Sequence, residues 1–251
     1  RRVLFRSHPN EGITANDTGV YTLIREGTQY EPSQAGELVY RVSRLDGSGA
    51  LDTSFGTDGH LSVVYDPPAG FLFQPDFFDL TGILSSNSGD QFREIHTTQD
   101  GNLLITARVL EGGAADSFIA IKVDPSTGQP VTDFGSDGYA LLQMTQASGM
   151  MRVYPASDGI FIPAVIYGDD STHVTVTKFD QATGALDTGF GTNGTVTLDY
   201  QVGGINWEEH VGSITALADG SLLLSGFVYD HSQYADDHWL VKLNPDGSPD
   251  T

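Results

Sequence analysis

The fold is decided by one stretch, RLDGSGALDTSFGTDG at residues 44–59, which recurs three more times. The later copies read KVDPSTGQPVTDFGSDG at 122–138, KFDQATGALDTGFGTNG at 178–194 and KLNPDGSPDT at 242–251. The copies are spaced by about 78, 56 and 64 residues, and a self-similar unit of about 40–60 residues is typical of a β-propeller blade. Internal repetition therefore predicts a repeat architecture built from small sheets.

Each unit contains four short apolar segments, which the second copy shows most clearly. Its predicted strands are Phe92–Thr97, Asn102–Val109, Ser117–Val123 and Tyr139–Met144. An Asp-Gly pair separates the first two strands at 100–101, and the pair recurs at 158–159 and 219–220. Asp-Gly between apolar runs predicts a β-hairpin with a type I′ turn.

The second strand of each unit is a nearly continuous apolar run, as at Leu103–Ile105, Ile160–Ile162 and Leu222–Leu224. Strands buried on both faces have this composition, and a blade between two neighbours meets that condition. Pro163 interrupts the third run and predicts a bulge or edge position. We expect an all-β chain of about four four-stranded antiparallel blades, an incomplete β-propeller that is a fragment of a larger ring.

The domain boundaries follow from the repeat. The first seven residues, RRVLFRS, look like the translated end of a sequencing adapter and are set aside. The fourth copy stops where Phe-Gly would be expected, which predicts that the chain is a piece of a longer protein. The predicted segments are 1–7 adapter-like, 8–66 first blade, 67–90 aromatic-rich insertion, 91–146 second blade, 147–203 third blade and 204–251 fourth blade.

At these residues the chain resembles the delta-60 repeat family, a β-propeller-like repeat of bacterial proteins. The matching positions are Leu51, Asp52, Phe55, Gly56 and Gly59 in the first copy, and Leu186, Asp187, Phe190, Gly191 and Gly194 in the third. The fourth copy matches upstream at 242–247. The second departs, because Val131 and Thr132 stand where Leu-Asp is expected and Asp133 is shifted. The resemblance specifies the repeat and leaves the activity open, because one fold hosts many functions.

The motif has an architectural interpretation. Its Asp accepts hydrogen bonds from the following backbone N–H groups in a turn, its Gly adopts a positive φ, and its Phe fills the space between units. A calcium site is the alternative for these Asp-rich loops, because Ca²⁺ takes oxygen ligands; no other cofactor is predicted. The motif residues are Arg44, Asp52, Phe55, Gly56, Gly59, Lys122, Phe134, Gly135, Gly138, Lys178, Asp187, Phe190, Gly191, Gly194, Lys242 and Asp250.

Each copy begins with a cation on an apolar strand, at Arg44, Lys122, Lys178 and Lys242. A charge in that environment has to be paired or extended towards solvent. The Asp eight or nine residues later is the natural partner. The sequence predicts the ion pairs Arg44–Asp52, Lys178–Asp187 and Lys242–Asp250.

The amino-acid composition limits the classes of partner that the chain is expected to bind. The chain carries 33 acidic and 12 basic residues, a net charge of −21. Such a surface repels nucleic acid, because phosphate binding needs clustered Lys and Arg. No apolar run reaches the length of about 18 residues that membrane insertion requires. Cysteine is absent, which excludes disulfides and thiolate metal sites. A protein or a glycan is the expected partner.

Histidines and carboxylates cluster in one place, the stretch HSQYADDH at 231–238. We expect 229–238 to be an exposed loop, in which His231, Asp236, Asp237 and His238 are the candidate ligands of a divalent metal. The alternative is a solvated polar loop. Upstream, Glu208 and Glu209 are adjacent and should point to opposite faces of a strand, which makes them poor acid/base partners.

No nucleophile elbow, phosphate loop or catalytic triad is recognisable, and no catalytic residue is predicted. The sequence favours a non-catalytic repeat module with a structural or interaction role. The alternative is part of an extracellular glycan-active hydrolase or lyase, which would need His and carboxylate groups to converge at one mouth of the ring. Acidity and the resemblance together predict an extracellular or cell-surface location.

Overall fold

We analysed a computed structural model of the chain. The structure describes residues 12–26, 38–65, 71–73, 93–111, 115–143, 152–156, 158–167, 172–198, 207–230 and 235–250. These ranges contain strands and turns but no helix, so none of them holds a helix able to cross a membrane. The predicted adapter-like residues 1–7 lie outside the described ranges.

Two antiparallel sheets come first along the chain. Sheet 1 has the order β1-β2-β3-β4, formed by β1 (Gly12–Asn16), β2 (Gly19–Glu26), β3 (Leu38–Leu45) and β4 (His60–Tyr65). Sheet 2 has the order β10-β8-β7-β5, with β6 also paired to β7 and β9 to β8. Its strands are β5 (Phe71–Phe73), β6 (Arg93–Thr97), β7 (Leu103–Glu111), β8 (Ala115–Asp124), β9 (Gln129–Pro130) and β10 (Tyr139–Gln143).

Two further sheets follow. Sheet 3 has the order β11-β12-β13-β14, formed by β11 (Tyr154–Ala156), β12 (Gly159–Tyr167), β13 (Thr172–Phe179) and β14 (Thr195–Leu198). Sheet 4 consists of β15 (Trp207–Ala216), β16 (Leu222–Asp230) and β17 (Ala235–Leu243). The four antiparallel sheets confirm the predicted fold class, an all-β chain of β-propeller blades.

The chain divides into two compact units, of which the first comprises 1–113 with 117–141 and the second 114–116 with 142–251. In the first unit, Tyr21 and Val42 of sheet 1 share a buried apolar cluster with Ile95 and Ile105 of sheet 2. The alternation along each strand explains this packing, because every second side chain faces the neighbouring sheet.

The second unit repeats the arrangement. Phe161 and Val176 of sheet 3 share a buried cluster with Ile214 and Leu224 of sheet 4. Burial of such side chains stabilises the fold by about 25 cal/mol for each Å² of apolar surface removed from water. Both clusters place the motif phenylalanine between two sheets, Phe55 in the first and Phe190 in the second.

The predicted hairpins at 100–101 and 219–220 form, but the type I′ prediction is wrong for both. Gly101 has φ 82° and Gly220 has φ 81°, whereas neither preceding Asp has a positive φ. The N–H of Gly101 donates to the carbonyl of Thr98 at 3.0 Å, and the N–H of Thr98 donates to the carbonyl of Asn102 at 2.8 Å. This is a type I turn followed by a left-handed glycine, the usual three-residue hairpin loop.

Two other predictions concern the insertion at 67–90 and the position of Pro163. The predicted insertion 67–90 contributes a short strand, because β5 pairs with β7. Pro163 occupies an edge position as predicted: it pairs with Val176 on β13, while β11 reaches only as far as Phe161. The missing N–H of the proline therefore costs no ladder hydrogen bond with β11.

Candidate functional site

The repeated cation is the centre of a polar cluster, which is most complete in sheet 3. Lys178 is 6% exposed, and its Nζ lies 3.1 Å from Oδ2 of Asp158 and 3.2 Å from Oδ2 of Asp187. The same Nζ is 5.6 Å from the ring centre of Phe161 and 5.8 Å from that of Phe190. Two carboxylates and two aromatic faces thus compensate one buried ammonium group.

In sheet 1 the motif carboxylate lies against the repeated cation. Nη2 of Arg44 lies 2.8 Å from Oδ2 of Asp52, and Nε donates to the same oxygen at 2.9 Å. The guanidinium also donates to Oγ of Ser54 at 2.9 Å and lies 5.2 Å from the ring centre of Phe55. Two N–H groups of the guanidinium thus converge on one carboxylate oxygen, as charge-assisted hydrogen bonds.

Sheet 4 again has both carboxylates. Nζ of Lys242 is 2.8 Å from Oδ2 of Asp250 and 3.8 Å from Oδ2 of Asp219. Hydrogen bonding to Asp250 and its negative charge raise the pKa of Lys242 above its ordinary value. All three predicted ion pairs, Arg44–Asp52, Lys178–Asp187 and Lys242–Asp250, are therefore present.

In sheet 2 the hairpin carboxylate lies against the repeated cation. Nζ of Lys122, which is 2% exposed, lies 2.7 Å from Oδ2 of Asp100. Burial raises the pKa of Asp100, but hydrogen bonds to Lys122, Thr98 and Asn102 outweigh it and lower that pKa to about 2. The hairpin aspartate was missed as an ion-pair partner, although Asp100, Asp158 and Asp219 recur at equivalent turns in the sequence.

The structure also corrects the alignment of the second copy. The N–H of Val131 donates to the carbonyl of Lys122, as that of Asp187 does to Lys178. The N–H of Phe134 then donates to the carbonyl of Val131. Val131 therefore occupies the position of the motif aspartate, which the sequence had assigned to Thr132, one residue later. The spacing from the cation is then nine residues, as it is between Lys178 and Asp187.

The motif turn has the predicted construction. Oδ1 of Asp52 accepts the N–H of Ser54 at 3.0 Å, and Oδ1 of Asp187 accepts the N–H of Gly189 at 3.1 Å. The side-chain and backbone hydrogen bonds of Ser54 lower the pKa of Asp52. Gly56 has φ 56°, and a Cβ there would lie 2.1 Å from the carbonyl oxygen of His60, so only glycine fits this turn.

The motif phenylalanines are buried as predicted. Phe55 and Phe134 are fully buried, and Phe190 is 1% exposed. Phe55 meets Tyr21 edge to face at 5.7 Å, and Phe190 meets Phe161 at the same separation. The equivalent rings thus pack alike in sheets 1 and 3.

The candidate metal ligands do not lie in a loop. Asp230 ends β16 and Ala235 begins β17, so the predicted loop 229–238 is wrong except for 231–234, which lie outside the described residues with His231. Asp236 is on β17, and Asp237 and His238 are exposed there. Together with Trp239 they are consecutive residues of a strand in sheet 4, so their side chains point alternately to its two faces. Within the described ranges, no group of three or more His, Cys, Asp or Glu side chains could hold a metal ion.

Sheet 4 also carries the other polar candidates. Glu209 is buried, and its Oε2 accepts the N–H of Val174 at 3.2 Å, while its own N–H donates to Oγ1 of Thr172. It thereby links β15 to β13. On the other face His210 stacks on Phe227 at 4.5 Å, and Phe227 lies 6.3 Å from His238. These contacts place two histidines beside one phenylalanine ring.

No family model matches the chain, and no curated protein sequence matches it closely enough to count as a relative. Solved structures that match the chain include prolyl oligopeptidase B from Galerina marginata, at 6% identity and a TM-score of 0.42. The match covers 95% of this chain and 26% of that protein.

Two further similar structures have names that refer to arabinose-containing glycans. The endo-arabinase from Bacteroides thetaiotaomicron matches at 8% identity and a TM-score of 0.41, over 96% of this chain and 78% of that one. The α-L-arabinofuranosidase from Clostridium thermocellum matches at 9% identity and a TM-score of 0.36, over 99% and 95%.

Proposed function

We propose that the chain is a non-catalytic β-propeller repeat module of the delta-60 type, with a structural or interaction role in an exported or surface bacterial protein. The observation that carries this proposal is the use of the repeated charges. In all four sheets the repeated cation lies against a carboxylate of its own sheet, at Asp52, Asp100, Asp187 and Asp250.

Charged groups that are paired in this way stabilise the fold. A buried ammonium or guanidinium group that has lost its carboxylate is strongly destabilising, because desolvation is no longer compensated. A catalytic acid or base instead needs a pKa near the working pH, whereas the pKa of Asp100 is lowered to about 2. The repeated charge pairs are therefore suited to stabilising each sheet and its turns.

The acidic surface supports an exterior location. A net charge of −21 keeps a protein soluble and disfavours contact with nucleic acids and anionic lipids. Protein or glycan partners are compatible with it, and we assign the interaction role to these two classes.

The alternative is a glycan-active hydrolase or lyase, which would require two carboxylic groups about 5–9.5 Å apart across a cleft. The test incubates the protein with a panel of polysaccharides and measures both new reducing ends and retardation in affinity gels. The His210→Ala/His238→Ala double variant is the control for the aromatic-histidine row. We expect no turnover in either protein. Turnover that the double variant loses would contradict the proposal.

A further inference from the structure

In sheets 1, 2 and 3 the motif phenylalanine is followed by a hairpin turn whose two central residues have a positive φ. In sheet 3 these residues are Asn193, with φ 52°, and Gly194, with φ 88°. The N–H of Thr192 donates to the carbonyl of Thr195 at 2.8 Å, and the N–H of Thr195 donates back to the carbonyl of Thr192 at 3.2 Å. This is the geometry of a type I′ turn, in which asparagine followed by glycine is strongly preferred.

Asn193 is also a reactive residue. Of the seven asparagines in the chain, it alone precedes a glycine, and it is exposed to water. In such a pair the backbone N of the glycine attacks Cγ of the asparagine, because the glycine has no Cβ to obstruct the approach. The new N–Cγ bond closes a succinimide ring. The bond from Cγ to the side-chain amide nitrogen breaks, and ammonia leaves with the proton of the glycine N–H.

The folded turn prevents this ring from closing. A residue in the left-handed conformation has its Cβ close to its own carbonyl oxygen, and the N of the next residue lies on the opposite side of the Cα–C bond. The side chain of Asn193 is therefore directed away from the N of Gly194. The carbonyl of Gly194 is also held in place, because it accepts the N–H of Lys178 at 3.0 Å. Ring closure thus requires the turn to open.

The two products of the reaction differ in whether they fit the turn. Water that opens the succinimide at Cγ leaves aspartate, whereas water that opens it at the backbone carbonyl leaves isoaspartate. Aspartate fits, because Asp58 and Asp137 occupy the equivalent positions of sheets 1 and 2, with φ 51° and 55°. Isoaspartate lengthens the main chain by one methylene group, so the two hydrogen bonds between Thr192 and Thr195 cannot both form.

We infer that Asn193 is a site of spontaneous deamidation, which the folded turn suppresses and local opening of the turn permits. Proteins open locally with free energies that range from near zero to that of global unfolding, so each opening of this turn exposes the pair to reaction. A chain that refolds with aspartate regains the turn of sheets 1 and 2 and carries one more negative charge. A chain with isoaspartate does not regain it. The inference concerns a modification and is independent of the proposed interaction role.

The experiment incubates the full chain in mildly alkaline buffer, once folded and once in denaturing guanidinium chloride. Peptide mass spectrometry locates deamidation, which raises the mass by about 1 Da. We expect Asn193 to convert in the unfolded chain and at least about tenfold more slowly in the folded chain, which corresponds to an opening free energy above about 1.4 kcal/mol. Two asparagines are internal controls that should stay unconverted on this timescale. The side chain of Leu103 obstructs attack on Asn102, and Pro245, which follows Asn244, has no N–H.

Two further measurements separate the effect of the turn from that of the denaturant. A synthetic peptide of residues 188–199 in the same buffer without guanidinium chloride should convert as fast as the unfolded chain. When the deamidated chain is refolded, the folded fraction from gel filtration should contain aspartate at position 193 and be depleted of isoaspartate. The Asn193→Asp variant should have the denaturation midpoint of the wild type.

Three results would overturn the inference. Equal conversion of Asn193 in the folded and the unfolded chain would show that the turn does not suppress the reaction. An unfolded chain in which Asn193 stays intact would show that it is not a deamidation site. A folded fraction as rich in isoaspartate as the unfractionated chain, or a lowered midpoint for Asn193→Asp, would show that the turn does not discriminate between the two products.

Discussion

Sheets 2 and 3 each bury a lysine of the repeat, and each places a different set of carboxylates against it. Lys122 and Lys178 occupy equivalent positions and are almost equally buried. Lys178 lies between Asp158 of the hairpin and Asp187 of the motif. Lys122 lies against the hairpin residue Asp100, and Val131 replaces the motif aspartate.

The difference shows that the carboxylate beside the cation can belong either to the hairpin or to the motif turn. The hairpin approaches from one side and the motif turn from the other, so a copy that lacks one aspartate still has the second. Sheet 1 is the converse case, in which Arg44 uses the motif residue Asp52. The two clusters should therefore respond differently when a single carboxylate is removed, and alike when the shared phenylalanine is removed.

The largest effect is expected at the position that the two sheets share. Phe134→Ala and Phe190→Ala should each lower the free energy of unfolding by about 4 kcal/mol, because each leaves a cavity the size of a ring in a closed core. Chemical denaturation measures both. A loss near zero for either variant, or losses that differ by several-fold, would show that the rings are not equivalent.

Removing one carboxylate should lower the free energy of unfolding by different amounts in the two sheets. Asp100→Ala should cost about 2 kcal/mol, because it removes the carboxylate that the structure places on the buried Lys122. Asp187→Ala should cost under about 1 kcal/mol, since Asp158 continues to compensate Lys178. Urea denaturation of both variants at neutral pH gives the comparison, with Asp133→Ala, at an exposed position of sheet 2, as a control. Equal losses would mean that the second carboxylate has no compensating effect.

A smaller effect is expected from pH. The folded-state pKa of Asp100 is lowered to about 2, below the value of about 3.9 for an unfolded chain. The folded state therefore binds this proton less readily, so the stabilisation is complete above about pH 4 and is lost as the pH falls towards 2. Allowing for solvent screening at a partly exposed carboxylate, it amounts to about 1 kcal/mol.

The measurement compares urea midpoints of wild type and Asp100→Asn between pH 2 and pH 6. The two proteins should converge as the pH approaches 2. A difference that is constant across this range would show that the ionised carboxylate contributes no pH-dependent stabilisation.

Much of the fold was predictable because its signals are local. Turn residues, alternating strands and a repeated motif fixed the sheet type, the burial of Phe55, Phe134 and Phe190, and the three ion pairs. The hairpin contacts were not predicted, because a partner 20 or more residues away, such as Asp158 for Lys178, depends on how strands pair. The turn type was wrong because Asp-Gly is compatible with several hairpin loops.

The candidate site was less predictable for a related reason. Polar residues at 236–238 are compatible with a loop or with an edge strand, and pairing with β16 decides for the strand. The role of Val131 was missed because the second copy has no Leu-Asp pair to align, and the backbone hydrogen bonds were needed to locate the equivalent position.

The central claim is that one buried cation can be compensated from either direction, and a carboxylate moved between the two positions tests it most directly. In the Asp100→Ala background, Val131→Asp places a carboxylate at the position that Asp187 holds in sheet 3. The free energy of unfolding of the single and the double variant is measured in urea at neutral pH, with Val131→Asn in the same background as the uncharged control. The account predicts that Val131→Asp restores about 1 kcal/mol of the loss and that Val131→Asn does not. A double variant no more stable than Asp100→Ala alone would contradict it.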